Sequence, residues 1–161
     1  FLRPLSELQI AKLFSKFKNH YYTFKSCNVG SKTDSWCGKC PKCLFTYIIL
    51  SPFIKQETLE KIFDKNIFND IELKNELDKL IGIADVKPFE CVGTIEEVNI
   101  ALSSLLNKKN VDKSLLKYYN NINIFDKYIK LSEYDFKNFN EENFLPGHFK
   151  VILKNALDEI C

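Results

Sequence analysis

Methionine is absent from the 161 residues, and arginine occurs once, at Arg3. The chain opens at Phe1-Leu2-Arg3-Pro4 without an initiating methionine, so we expect a portion of a longer protein. A lone arginine leaves one side chain able to grip phosphate or carboxylate through a planar, bidentate fork. The formal net charge of +2 raises no broad basic field, and no nucleic-acid partner is expected. Long apolar runs are missing too. The longest, Leu44 to Leu50, is interrupted by Thr46 and falls far short of a membrane span. No signal peptide, internal repeat or low-complexity tract is visible. What remains is 45% apolar and 27% charged, the composition of a globular protein long enough to bury a real core.

Cysteine is the residue in good supply, and four of the six fall within seventeen positions. Cys27, Cys37, Cys40 and Cys43 follow the spacing C-x9-C-x2-C-x2-C. Two residues between thiolates let a tight turn aim both sulfurs at one point. A fourth cysteine from the preceding loop completes a four-sulfur cage, which zinc takes tetrahedrally. An iron–sulfur cluster is the competing occupant, because C-x2-C-x2-C also occurs in ferredoxin-like runs. Disulfides fit poorly, since three thiols this close in sequence do not make two independent bridges. A clustered ligand set of this kind points to a reducing cytoplasm. With four thiolates zinc keeps no open position, so it holds structure and does not activate water.

Periodicity predicts a mainly helical chain. Ser6-Glu7-Leu8-Gln9 reads as a capping box opening a helix from about Ser6 to Phe17, with Leu8 (or Ile10), Ala11, Phe14 and Phe17 on one face. His20 to Ser26 reads as a short strand or an extended loop, and Asn28 to Ser35 as a loop. Leu44 to Leu50, apolar on all sides, predicts a buried helix running off the cysteines and stopped by Ser51-Pro52. Leu59, Ile62 and Phe63 mark one short helix. Leu73, Leu77, Leu80 and Ile81 mark another, ended by Gly82. Thr94-Ile95-Glu96-Glu97 is a second capping box, opening a helix with Ile95, Val98, Leu102 and Leu105 on one face. Lys108 to Lys113 is a polar connection, and Leu115 to Ile129 reads as one or two helices. Ser132 to Asn143 is irregular, and a last helix from Phe149 to Ile160 carries Phe149, Ile152, Ala156 and Ile160 in register.

Two further places could carry chemistry. Lys87-Pro88-Phe89-Glu90-Cys91-Val92-Gly93 brings a lysine, a carboxylate and a thiol within five residues. Glu90 or Cys91 could move a proton and Lys87 could hold an anion, or the segment is a plain loop with a buried thiol and two solvated charges. His148, after Pro146-Gly147, suits a loop-borne base or an anion contact, or a helix-start residue with no role. His20 reads as structural and Cys161 as incidental.

The segments Arg3-Pro4-Leu5-Ser6-Glu7-Leu8-Gln9, Trp36-Cys37-Gly38-Lys39-Cys40-Pro41-Lys42-Cys43 and Lys87 to Gly93 together resemble the bacterial UDP-N-acetyl-α-D-muramoyl-L-alanyl-L-glutamate epimerases. The helix and cysteine set are also similar to the zinc-bearing end of the ATP pyrophosphatase (PP-loop) enzymes. The resemblance is firm over about residues 1 to 100, with a Pro-Gly-His-Phe match near His148. It implies inversion of the terminal L-Glu of UDP-MurNAc-L-Ala-L-Glu to D-Glu, a step in making peptidoglycan precursor. It also implies ATP and magnesium, adenylation of the glutamate α-carboxylate, and removal and return of the acidified α-proton. On it, Cys27, Cys37, Cys40 and Cys43 hold zinc, and Arg3 and Lys87 bind substrate. Glu90, Cys91 and His148 are the catalytic candidates.

This sequence departs from the PP-loop pattern in one respect: it contains no Ser-Gly-Gly-x-Asp-Ser loop. The expectation is therefore a C-terminal portion of a larger α/β ATP-using protein, partnered by an N-terminal ATP-binding domain and inactive without it. Residues 1–52 would be the end of the PP-loop-like region with its zinc knuckle, and 53–161 a helical C-terminal domain packed with it. Two other readings stay open: a fragment of a different PP-loop adenylating enzyme, and a non-catalytic zinc-stabilised module that binds a partner protein.

Overall fold

Apolar residues at helical spacing form seven α-helices in a computed structural model that describes residues 1–86, 88, 92–106 and 112–160. They are α1 (Glu7–Phe14), α2 (Pro41–Leu50), α3 (Gln56–Phe63), α4 (Lys74–Ile81), α5 (Ile95–Leu106), α6 (Ser114–Ile122) and α7 (Gly147–Asp158). Short 3-10 turns join several of them, and no strand occurs among the described residues. The fold is mainly α, as the periodicity requires. None of its described helices is long and apolar enough to cross a membrane.

The capping box of α1 forms as read. Ser6 Oγ accepts from the Gln9 amide at 3.2 Å, and Gln9 Oε1 accepts from the Ser6 amide at 2.8 Å. Gln9 does more than cap. It is buried, and its Nε2 donates to the carbonyls of Phe136 (2.9 Å) and Asn138 (2.5 Å), tying α1 to the irregular segment 130 residues on. The helix stops at Phe14, not at Phe17. The Ser15 hydroxyl donates to the Lys12 carbonyl, and the amides of Lys16 and Phe17 bond three residues back, which tightens the chain out of the α-helix. Phe17 is left exposed. The stretch after it is no strand: a 3-10 turn at Lys18–His20 leads to a Phe24 amide bonded to the His20 carbonyl.

Helix α2 is the centre of the packing. Leu44, Phe45, Tyr47, Ile48, Ile49 and Leu50 are all buried, and the helix meets α1, α4 and α5. A helix apolar all round must be enclosed. Pro52 follows, and the helix ends at Leu50 as expected. Helix α5 lies beside it and buries Asn99 completely. Asn99 Nδ2 donates to the carbonyls of Ile81 (3.2 Å) and Ile95 (2.8 Å), and Oδ1 accepts from Tyr119 Oη at 2.9 Å. One satisfied side chain thus links α4, α5 and α6. Helix α4 ends at Gly82 with φ of 80°, as read.

The core runs from Leu8 to Phe136 and takes residues from both sides of position 52. A second, smaller cluster joins α7 to α1 through Leu5, Leu153, Leu157 and Ile160. Here the expected register is corrected. Ile160 is buried, but its companions are Leu153 and Leu157, while Phe149 and Ile152 face outward. Helix α7 is apolar on two sides and packs on α1 and on Phe139 and Leu145 through the stripe that carries Leu153 and Leu157.

Candidate metal centre and the cleft beside it

The four cysteines arrive from three local structures. Cys27 precedes a 3-10 turn at Gly30–Thr33, Cys37 follows the buried Trp36, and Cys40 is the N-cap of α2, with Cys43 one turn inside it. Trp36 seats the turn on the core, with ring centroids 5.3 Å from Phe24 and 4.5 Å from Phe63. The sulfurs all lie within 4.8 Å of one another. Cys40 and Cys43 are 3.5 Å apart, Cys37 and Cys43 3.7 Å, and Cys27 and Cys40 3.9 Å. These separations exclude disulfides among the four, which need about 2.05 Å. They match a tetrahedron of sulfurs around one ion at about 2.3 Å, whose edges are about 3.8 Å.

The backbone also prepares the thiols. Amides of Gly30 and Cys37 point at Cys27 Sγ (3.1 and 3.4 Å), that of Lys39 at Cys37 Sγ (3.5 Å), and that of Cys43 at Cys40 Sγ (3.4 Å). Hydrogen bonds to sulfur favour the thiolate. Cys40, hydrogen-bonded to Cys43, is pulled down to about 5 despite its burial. Cys43 is pushed up by that same bond and by burial. Burial raises Cys27, but the Cys37 and Gly30 amides outweigh it, and its pKa falls. Burial dominates at Cys37 and its pKa rises. The cluster could hold a metal ion, and with four protein ligands it offers no position to substrate.

A different kind of site opens next to it. A cleft of about 660 Å³ lies between the starts of α1 and α5, lined in part by Ser6, Glu7, Gly93, Glu96, Glu97 and Tyr134. The buried Glu97 forms its floor and caps two helices at once. Its Oε2 accepts from the Thr94 amide (3.0 Å) and hydroxyl (2.9 Å), completing the expected capping box with Thr94 Oγ1, which accepts from the Glu97 amide at 3.1 Å. Its Oε1 accepts from the Leu8 amide of α1 at 3.2 Å. A buried carboxylate is tolerable there because orphan amides of two helix starts surround it.

Glu7 stands at the edge of this cleft and also lines an apolar groove of about 490 Å³ on its other side, with Phe14, Phe45 and Lys42. Partial burial raises its pKa, the Glu97 carboxylate raises it further, and Lys42 opposes both. Gly93 packs against it so closely that a Cβ there would lie 2.9 Å from Glu7 Cγ and from the Phe45 ring. Glu7, Lys42–Phe45 and Val92–Gly93 thus meet, although 86 residues separate Glu7 from Gly93.

Of the other candidates, Arg3 is exposed. His148 is exposed on the first turn of α7 with its ring against Phe149, centroids 4.0 Å apart, and is not among the residues lining the cleft. Lys87, Glu90 and Cys91 lie outside the described residues. Sequence reasoning overlooked Glu7, which it met only as an interior letter of a capping box. The signal was present: Glu7 lies inside one of the three segments that carry the resemblance.

Residues 23–127 match the family described as the MurL C-terminal domain. The chain belongs to that family. Among curated relatives, the UDP-N-acetyl-alpha-D-muramoyl-L-alanyl-L-glutamate epimerase of Xanthomonas oryzae pv. oryzae is 39% identical over 113 residues, covering 66% of this chain and 25% of that protein. The protein of the same name from Salinispora tropica is 39% identical over 108 residues, covering 65% and 24%. The chain therefore aligns with about a quarter of the length of the curated relatives it matches. No solved structure matches it.

Proposed function

We propose that this MurL C-terminal domain is part of an ATP-dependent epimerase that converts the terminal L-Glu of UDP-MurNAc-L-Ala-L-Glu to D-Glu. The observation that carries the reading is that Glu7, Lys42 and Gly93, one from each resemblance-bearing segment, come together beside a closed four-sulfur cage. The names of the relatives support the substrate. ATP and magnesium are expected on an N-terminal PP-loop-like domain that partners this one. Adenylation of the glutamate α-carboxylate would then acidify the α-proton, and the cleft would receive the activated glutamate.

In this reading zinc is the ion held by Cys27, Cys37, Cys40 and Cys43, and it supplies folding energy only. Sulfurs within 4.8 Å of each other suit one ion better than a multi-iron cluster. Arg3 and Lys87 are proposed to bind substrate phosphate or carboxylate, and Glu90, Cys91 and His148 to take part in proton movement. The test uses the full-length polypeptide carrying these residues, with ATP, magnesium and the L-Glu substrate. D-Glu in the product, read by chiral analysis, is the expected result. The absence of both D-Glu and ATP consumption would refute the reading. Metal analysis of the same sample should give about one zinc per chain in a colourless protein.

A further inference from the structure

We infer that Glu7 is a catalytic base of the epimerisation, its carboxylate taking the α-proton of the glutamate held in the cleft between α1 and α5. The inference rests on the epimerase reading above and names a residue that reading did not contain. Three geometric facts lead to it. Glu7 is shared by the polar cleft and the apolar groove, so its carboxyl sits where open water meets a low-dielectric wall. It packs against Gly93, the last residue of one resemblance-bearing segment, and lies inside another. And its carboxyl is not the one that caps the two helix starts, a task Glu97 performs.

The neighbouring groups bring this out. Glu97 has both oxygens committed to amides and a hydroxyl. Tyr134 donates its hydroxyl to Ser6 Oγ at 2.8 Å, and Asp135 accepts from the Lys137 amide at 2.9 Å. Glu96 and Glu7 are both exposed as whole residues, but of the two only Glu7 also lines the apolar groove. Lys42, on α2, is the cation whose field reaches Glu7. A carbon acid gives up its proton most readily to a base brought closer to neutrality than a solvated carboxylate. Burial and the Glu97 charge move Glu7 in that direction.

The step balances. ATP and the substrate carboxylate give an acyl adenylate and pyrophosphate. The α-C–H bond then breaks, its proton goes to the Glu7 carboxylate, and the electron pair is held by the acyl group as an enolate. Water entering the open cleft supplies a proton to the opposite face and takes the one Glu7 holds. A second water hydrolyses the adenylate to AMP and the D-carboxylate.

The test compares full-length wild type with Glu7→Gln and Glu7→Asp in deuterated water, with ATP, magnesium and the L-Glu substrate. α-Deuterium incorporation and AMP release are read separately, and zinc content and melting temperature check the fold. Glu7→Gln should lower deuterium incorporation by at least about 100-fold while AMP release continues. Glu7→Asp, which keeps a carboxyl, should recover part of the exchange. Exchange at the wild-type rate in Glu7→Gln would overturn the role of Glu7 and leave the epimerase reading standing. Equal loss of exchange and AMP release in a folded variant would overturn it too, by placing Glu7 in binding or adenylation. If Glu7→Gln does not fold, Glu7→Asp decides: lowered exchange with AMP release retained supports the role, and unchanged exchange overturns it. Wild type that neither consumes ATP nor makes D-Glu would overturn both.

Discussion

The four-sulfur knuckle and Glu7 both adjoin the start of α2, yet they are opposite in kind. In the knuckle, sulfurs between 3.5 and 3.9 Å apart face inward and amides support them. In the cleft one carboxylate, Glu97, is saturated in the same manner, while its neighbour Glu7 remains open to solvent on one side. Saturated polar groups hold structure, because every donor and acceptor already has a partner. An open, partly desolvated group can still respond to a ligand. The contrast therefore separates what fixes this domain from what can act in it.

The comparison breaks most visibly at Cys40. Cys40→Ser removes a ligand and the thiolate that accepts from the Cys43 amide at the start of α2. Zinc binding in small domains is worth on the order of 10 kcal/mol, comparable to the whole stability of a domain. The expected outcome is loss of bound metal and of cooperative thermal unfolding, read by metal analysis and circular dichroism. Retained cooperative unfolding in a metal-free protein would reduce the knuckle to an ornament on a self-sufficient core.

Glu97→Ala comes next. It strips acceptors from the Leu8 and Thr94 amides at two helix starts, in a buried position. Unsatisfied buried donors cost about 1–3 kcal/mol each, so a loss of roughly 2–4 kcal/mol in denaturant unfolding is expected. A loss under about 0.5 kcal/mol would mean that water replaces the carboxylate and the cleft floor is not built as described.

The smallest effect belongs to Gly38→Ala. Gly38 has φ of 63°, and a Cβ there would meet the aliphatic end of Lys65, which pairs with Asp70 at 2.9 Å. The left-handed conformation costs about 1–2 kcal/mol for a residue with a Cβ, and the flexible Lys65 can move aside. Metal binding should survive with a modest fall in melting temperature. Loss of metal from this variant would show that the knuckle depends on its turn geometry as strictly as on its sulfurs.

Much of this was legible in the residues. Both capping boxes, the buried α2, the Gly82 stop and the cysteine set follow from local rules with periods of three or four residues. The misreadings have two causes. Whether the helix continued past Phe14 depended on a serine bending the chain, and which apolar stripe of α7 was covered depended on what α1 presented to it. The first is a local bond that the apolar periodicity does not show, and the second lies outside the segment. Glu7 was overlooked because the Glu97 charge and the Gly93 contact beside it come from some ninety residues away.

By itself the sequence determined a mainly helical chain with a four-thiol ligand set, because helix periodicity and C-x2-C turns are written in near neighbours. It also determined which three segments resemble the epimerases. Only the tertiary structure brought the sulfurs to ion-binding distance and set Glu7 against Lys42 and Gly93. It alone gave Glu97 two helices to cap and left Glu7 between the cleft and the apolar groove beside it. The physical reason is that the charge environment of a carboxyl is set by whatever packs against it, and packing joins residues that the chain keeps far apart.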